Sequence, residues 1–282
     1  MRIRIPALAI GLALWAVASG ASEIVKPDPG PLHDRVLTPG LDAICCRGRE
    51  MSRGCAAIRA RRIVDAAAAP WRAIGRVNFG SIELRQHCTG ALVSDRFVLT
   101  AAHCLYNAPR KSWIPPSSLR FVAGYQRGEA AAQASVRRYI LDPAQDSAGR
   151  DFRGGPARDW ALLELTAPLG RELGFIPLAA SGAADAPGAR LLLAGYAALR
   201  PHVLSVAGDC GPWRPAPQAG LAVTACSAMP GDSGAPLLIE QDGRISVAGV
   251  FSTIVVSEDG RALSLAIGAP VFAAALRQAA AE

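Results

Sequence analysis

Lysine is nearly absent: Lys26 and Lys111 are the only two, although Lys and Arg together number 30. The formal charge of +7 therefore comes from arginines scattered along the chain. A nucleic-acid surface needs a clustered basic face with interleaved aromatics, and neither is present, so no nucleic-acid partner is expected. Histidine is scarce as well, with four residues and no HExxH arrangement, and no cysteine pair has CxxC spacing. No metal site is expected, and no cofactor. Long apolar runs are missing beyond residues 5–18, whose 14 positions fall short of the roughly 20 that a spanning helix needs. Charged residues reach only 19% and hydrophobic residues 51%, with a mean hydropathy of +0.23, which excludes a solvated tail and allows a buried core. A chain of 282 residues is too long for a disulfide miniprotein and suits one large or two small domains.

The N-terminus has the pattern of a signal peptide, residues 1–21: basic Met1-Arg2-Ile3-Arg4, the apolar run 5–18, then small Ser19-Gly20-Ala21. The expected location is secreted or periplasmic, without a stable membrane anchor. In an exported chain, the seven cysteines form disulfides more readily than metal sites, and the odd count leaves one without an intrachain partner. Residues 22–62, rich in Pro and Gly and then basic, show no sustained apolar period and read as a pro-segment. From Ile63 onward short apolar runs alternate with turn residues, the mark of an all-β body. Strands are expected at 91–100, 160–165 and 191–194, with 181–188 as a linker between two halves. Asp242-Gly243 and Asp259-Gly260 predict hairpins joining 236–239, 245–256 and 262–267. A short helix over 271–281 follows Pro270.

Three local patterns carry chemistry. Leu99-Thr100-Ala101-Ala102-His103-Cys104 ends a strand on a histidine; Asp159-Trp160-Ala161-Leu162-Leu163-Glu164-Leu165 places an acid before a buried strand; Pro230-Gly231-Asp232-Ser233-Gly234-Ala235-Pro236 sets a serine in a tight glycine-flanked turn. Singly they read as a surface histidine, a solvated turn aspartate and an ordinary loop. In this order they resemble the trypsin-like (chymotrypsin-fold) serine peptidases, marked by TAAHC, Asp-x-Ala-Leu-Leu and GDSGxP. The short second half is closer to the bacterial secreted members. The resemblance covers Ile63 to about Leu276, while residues 106–158 and the linker lack family markers.

The resemblance implies two antiparallel six-stranded β-barrels, about 63–175 and 188–268, and a C-terminal helix at about 271–281, together forming a peptidase domain over 63–282. It further implies a secreted serine endopeptidase that acts on protein or peptide substrates through an acyl-enzyme. A serine hydroxyl is a weak nucleophile at neutral pH and needs a base. His103 takes that role for Ser233, and Asp159 fixes the imidazole's tautomer and stabilises its charged form. The backbone N–H groups of Gly231 and Ser233 would face the developing oxyanion, each worth about 2.7–4 kcal/mol. The chain order His, Asp, Ser separates this pattern from subtilisins and α/β-hydrolases.

By the same resemblance Ser252 stands beside the catalytic aspartate and the substrate backbone. Ser227, Ala228, Ser252, Thr253 and Ile254 line the primary pocket. Ser227 carries no charge, which argues against a basic preference. Phe251 stands where glutamyl-specific relatives carry histidine, and Ile254 where glycine is common, so small or medium apolar side chains are favoured. Expected disulfides are Cys88 with Cys104 and Cys210 with Cys226, the latter enclosing 15 residues because Met229 replaces the family's usual cysteine. Cys55 would pair with Cys45 or Cys46. The junction Arg62-Ile63 resembles the family's activation site, where an activating protease frees an amine that pairs with Asp232. The rival reading is a catalytically silent, protease-like binding protein. An esterase of the GDSL type is disfavoured, because its serine block lies near the mature N-terminus.

Overall fold

The computed structural model describes residues 49–80, 85–152, 155–208, 210–257 and 261–282. The expected signal peptide, Cys45, Cys46 and the Asp259-Gly260 turn lie outside them. Helix α1 (Arg49–Ala60) comes first, in a stretch where the sequence shows no sustained apolar period. Arg, Glu, Met and Ala favour helix. Cys55 and Ile58, three residues apart, are buried against Ala197 and Met229. Ile58 is 1% exposed, and burial of a side chain that size stabilises by about 1.5–3 kcal/mol.

The chain then runs through β1 (Arg62–Ile63), β2 (Ile74–Gly80), β3 (Arg85–Leu92), β4 (Phe97–Thr100), β5 (Tyr106–Asn107), β6 (Ser112–Trp113), β7 (Leu119–Ala123), β8 (Ala132–Leu141) and β9 (Ala161–Leu165). Strands β2-β3-β4-β9-β8-β7 close a six-stranded barrel, and β5 pairs with β6 outside it. Alternation sets the faces: along β7, Leu119, Phe121 and Ala123 are buried and Arg120 is exposed. The run 91–100, expected as one strand, is two, because residues 93–96 turn the chain so that Leu92 pairs with Val98. Ser94 Oγ accepts from Phe97 N at 3.2 Å and holds this turn.

A short helix α2 (Leu169–Leu173) leads to the second half: β10 (Arg190–Gly195), β11 (Ser205–Ala207), β12 (Arg214–Pro215), β13 (Leu221–Thr224), β14 (Pro236–Gln241), β15 (Arg244–Val256), β16 (Ala262–Gly268) and α3 (Ala269–Ala281). The sheet order is β1-β11-β10-β14-β15-β16-β13-β12. Six strands make its body, and the two-residue strands β1 and β12 extend the ends. The β14–β15 hairpin turns on Asp242 and Gly243, both at positive φ (50° and 73°), the backbone that Asp-Gly accommodates. Trp160 packs on Phe272 of α3 with ring centroids 6.0 Å apart, which fastens the C-terminal helix beside β9. The architecture is that of the chymotrypsin-like all-β fold. Among the described residues, no helix is long and apolar enough to cross a membrane.

Candidate active site

His103 lies in a 3-10 turn, Ala102–Leu105, immediately after β4. Asp159 follows another, Pro156–Arg158, just before β9. Since β4 pairs with β9, Thr100 facing Ala161, the barrel brings the two turns together. Asp159 Oδ1 accepts from the backbone N of His103 at 2.8 Å, and Oδ2 lies 2.8 Å from Nδ1 of its ring. That contact puts the ring proton on Nδ1 and leaves Nε2 as the free acceptor. The His103 side chain is 38% exposed and that of Asp159 8%, so the imidazole reaches solvent while the carboxylate does not.

The second half contributes two serines. Ser252 lies at a β-bulge in β15, between Phe251, which pairs with Ala266, and Thr253, which pairs with Leu265. A bulge re-aims the side chain, and Ser252 Oγ donates to Asp159 Oδ2 at 2.5 Å. Ser233 is half-buried in the turn before β14. Cys104 Sγ lies 3.9 Å from His103 Nε2 and 3.8 Å from the Ser233 carbonyl oxygen, so both flank one disulfide. Among the described residues no hydrogen bond joins Ser233 Oγ to His103 Nε2; such bonds commonly tighten only once substrate is bound. The disulfides are Cys88–Cys104 and Cys210–Cys226. Cys88, His103 and Cys104 cluster as a metal site would, but sulfurs joined to each other offer no thiolate. Cys55 is also disulfide-bonded.

The turn carrying Ser233 is fixed from several directions. Asp232 N donates to Met229 O at 3.0 Å, Ala198 N to Pro230 O at 2.7 Å, and Ala235 N to Asp232 O at 2.7 Å. Thr89 of β3 donates its hydroxyl to Gly231 O at 2.8 Å and its N–H to Ser233 O at 2.9 Å, and accepts from Tyr196 N at 3.0 Å. Gly231 has φ +94°, and a Cβ there would strike the Tyr196 carbonyl and come within 2.9 Å of His87 Nε2. Glycine is thus required by both conformation and space. His87 Nε2 donates to Tyr196 O at 2.9 Å, and burial pushes its pKa below the ordinary 6.5.

Of the residues expected in the primary pocket, Ser227 and Ala228 are half-buried, while Thr253 and Ile254 lie exposed along β15. The pairing of β14 with β15 ends at Pro236 and Val250, so beyond Ser252 that side of β15 carries no strand among the described residues. Arg62 and Ile63 are exposed and form β1. Asp232, expected to await a freed amine, is instead engaged by Arg61. The Nη1 group donates to Oδ1 at 3.0 Å and Nη2 to Oδ2 at 2.8 Å, both partners being buried. Sequence reasoning took Arg61 only as part of the basic end of the pro-segment and missed Thr89 altogether. An arginine next to another arginine carries no signal that one of them is buried.

A closed β-barrel against a β-sheet, with a His-Asp pair from one and a serine from the other, defines a chymotrypsin-fold hydrolase class. The chain belongs to the trypsin family of serine peptidases: that family's model, described as Trypsin, matches residues 62–206, just over half of it. Serine protease 56 of Homo sapiens is 32% identical over 171 residues, which cover 56% of this chain and 25% of that protein. Serine protease SP24D of Anopheles gambiae is 30% identical over 109 residues, covering 39% and 36% respectively. The chain thus spans about a quarter to a third of those relatives. A Glu endopeptidase solved in complex with MPD matches with a TM-score of 0.63 at 20% identity, over 79% of this chain and 97% of that one. Protease Anisep from Arthrobacter nicotinovorans matches at 0.54 and 19%, over 70% and 90%. These two show the fold.

Proposed function

We propose that the protein is an exported serine endopeptidase in which Ser233 attacks the scissile carbonyl, His103 takes its proton, and Asp159 holds the imidazole. The new bond joins Ser233 Oγ to the acyl carbon. The proton on His103 then passes to the leaving amine, and water releases the acyl group by the same route. One observation carries this reading: Asp159 binds His103 through both its backbone and its ring, on the rim where Ser233 lies. The unpaired side of β15 beyond Ser252 suits an extended peptide laid alongside it.

For the side chain preceding the cleaved bond we propose a small or medium apolar residue, because Ser227 and Ala228 bring no charge and Ile254 narrows the approach. The likeness to a Glu endopeptidase concerns the fold, and Phe251 stands where histidine would support glutamate. Cleavage after Arg62 is the activation step implied by the family resemblance, and the exposed Arg62-Ile63 junction is accessible to an activating protease. The peptidase reading does not depend on that cut. A fluorophosphonate probe tests it: labelling of Ser233, abolished in Ser233→Ala and His103→Ala with thermal melts barely changed, is the expected result. A folded chain that takes no label is a silent binding protein.

A further inference from the structure

We infer that Arg61 is the positioning residue that holds the Ser233 turn in the uncut chain, making the protein competent without cleavage between Arg62 and Ile63. The inference rests on the peptidase reading above. Asp232 is fully buried, and so is the Arg61 side chain, 1% exposed. A buried carboxylate requires a cation, and the guanidinium meets it with two parallel bonds, the geometry in which arginine surpasses a simple amine. Met229 N donates to Oδ2 as well, at 3.0 Å. Both carboxylate oxygens are therefore occupied.

The same guanidinium reaches beyond Asp232. Nη2 also donates to the carbonyl of Ser227, expected at the base of the primary pocket, so one side chain braces that residue and the acid preceding the nucleophile. The chain before Arg61 is built into this region too. Cys55 and Ile58 pack on Ala197 and Met229, and Arg200 donates to the carbonyls of Arg59 and Arg61. Residues 55–61 thus belong to the wall of the site in the uncut chain, and their removal would strip Met229 of its cover.

Ile63 is placed unfavourably for the alternative. It pairs with Ser205 in the outermost strand of the second sheet and is 44% exposed. An amine freed there would have to leave that pairing and displace a bidentate guanidinium from a carboxylate whose two oxygens are both already engaged. A second cation beside one buried acid would remain uncompensated.

Full-length Arg62→Gln, shown by intact mass to be continuous across residues 62–63, provides the test. We expect fluorophosphonate labelling of Ser233 and a kcat on a peptide substrate within about threefold of wild type, as for a surface substitution. Arg61→Gln should lower kcat by about 100-fold, the scale of losing an oxyanion donor, with labelling slowed in parallel. Arg61→Lys should recover part of that loss. Should Arg61→Gln not fold, the double variant Arg61→Gln/Asp232→Asn, which buries no lone charge, should fold and still turn over slowly. Wild-type kcat in that double variant, or an uncut Arg62→Gln that stays unlabelled while cut wild type labels, overturns the inference and leaves the peptidase reading standing. Absence of labelling in every form overturns the peptidase reading itself.

Discussion

Ser252 and Asp159 are 93 residues apart, yet the serine hydroxyl donates to the Asp159 carboxylate at 2.5 Å, to the same oxygen that faces the His103 ring. The bond joins the second sheet to the acid of the first barrel and takes up a lone pair that would otherwise let the carboxylate rotate. A hydrogen bond to a charged group is worth about 1.5–3 kcal/mol. Ser252→Ala should therefore lower kcat by about 10-fold or more, with KM little changed, because the imidazole is less firmly oriented. Equal kcat in the two proteins would remove Ser252 from the mechanism.

The disulfides divide the two halves between them. Cys88–Cys104 lies beside His103 and Ser233, and Cys210–Cys226 ends one residue before Ser227. For a loop of about 15 residues, the loss of one crosslink should cost about 3 kcal/mol. Cys210→Ala/Cys226→Ala should melt well below wild type while keeping its fluorophosphonate label at low temperature. Non-reducing peptide mapping that links Cys88 to Cys226 would refute the pairing.

His87 gives the pH dependence a sign. Burial, its largest influence, lowers its pKa from 6.5 in the fold, so below that value the unfolded chain binds the proton more readily. The stability is fully present above pH 6.5 and is lost as pH falls from there towards the folded value. Chemical denaturation at pH 7.5 and 5.5 should register the loss, and His87→Gln should reduce the difference. An unchanged difference in the variant would place the acid sensitivity elsewhere.

A positional-scanning peptide library should favour Ala, Val or a residue of similar size before the cleaved bond. Dominance of Arg, Lys, Asp or Glu there would mean that Ser227 does not form the pocket floor.

The residues legible in sequence were those whose chemistry is local. A histidine after a strand of small residues, an acid just ahead of an apolar run and a serine between glycines can each be read within seven positions, and the fold brings them to one rim. The Asp242-Gly243 hairpin was equally plain, since two consecutive positive φ values leave few residue choices. Long-range relationships were hidden. Helix α1 docks through Cys55 and Ile58, and that docking becomes visible only against Ala197 and Met229. Arg61 shares its composition with exposed Arg62, and only tertiary burial separates them. The break at Ser94-Asp95 was missed because apolar residues flank it on both sides.

Thr89 belongs to the barrel, yet its bonds to Gly231, Ser233 and Tyr196 all reach into the other half. A chain folded in only one half would hold a base without its nucleophile, or a nucleophile without its base. The proposed hydrolytic chemistry would then switch on only when the two halves dock in register, so a nascent or partly unfolded chain could not digest its neighbours.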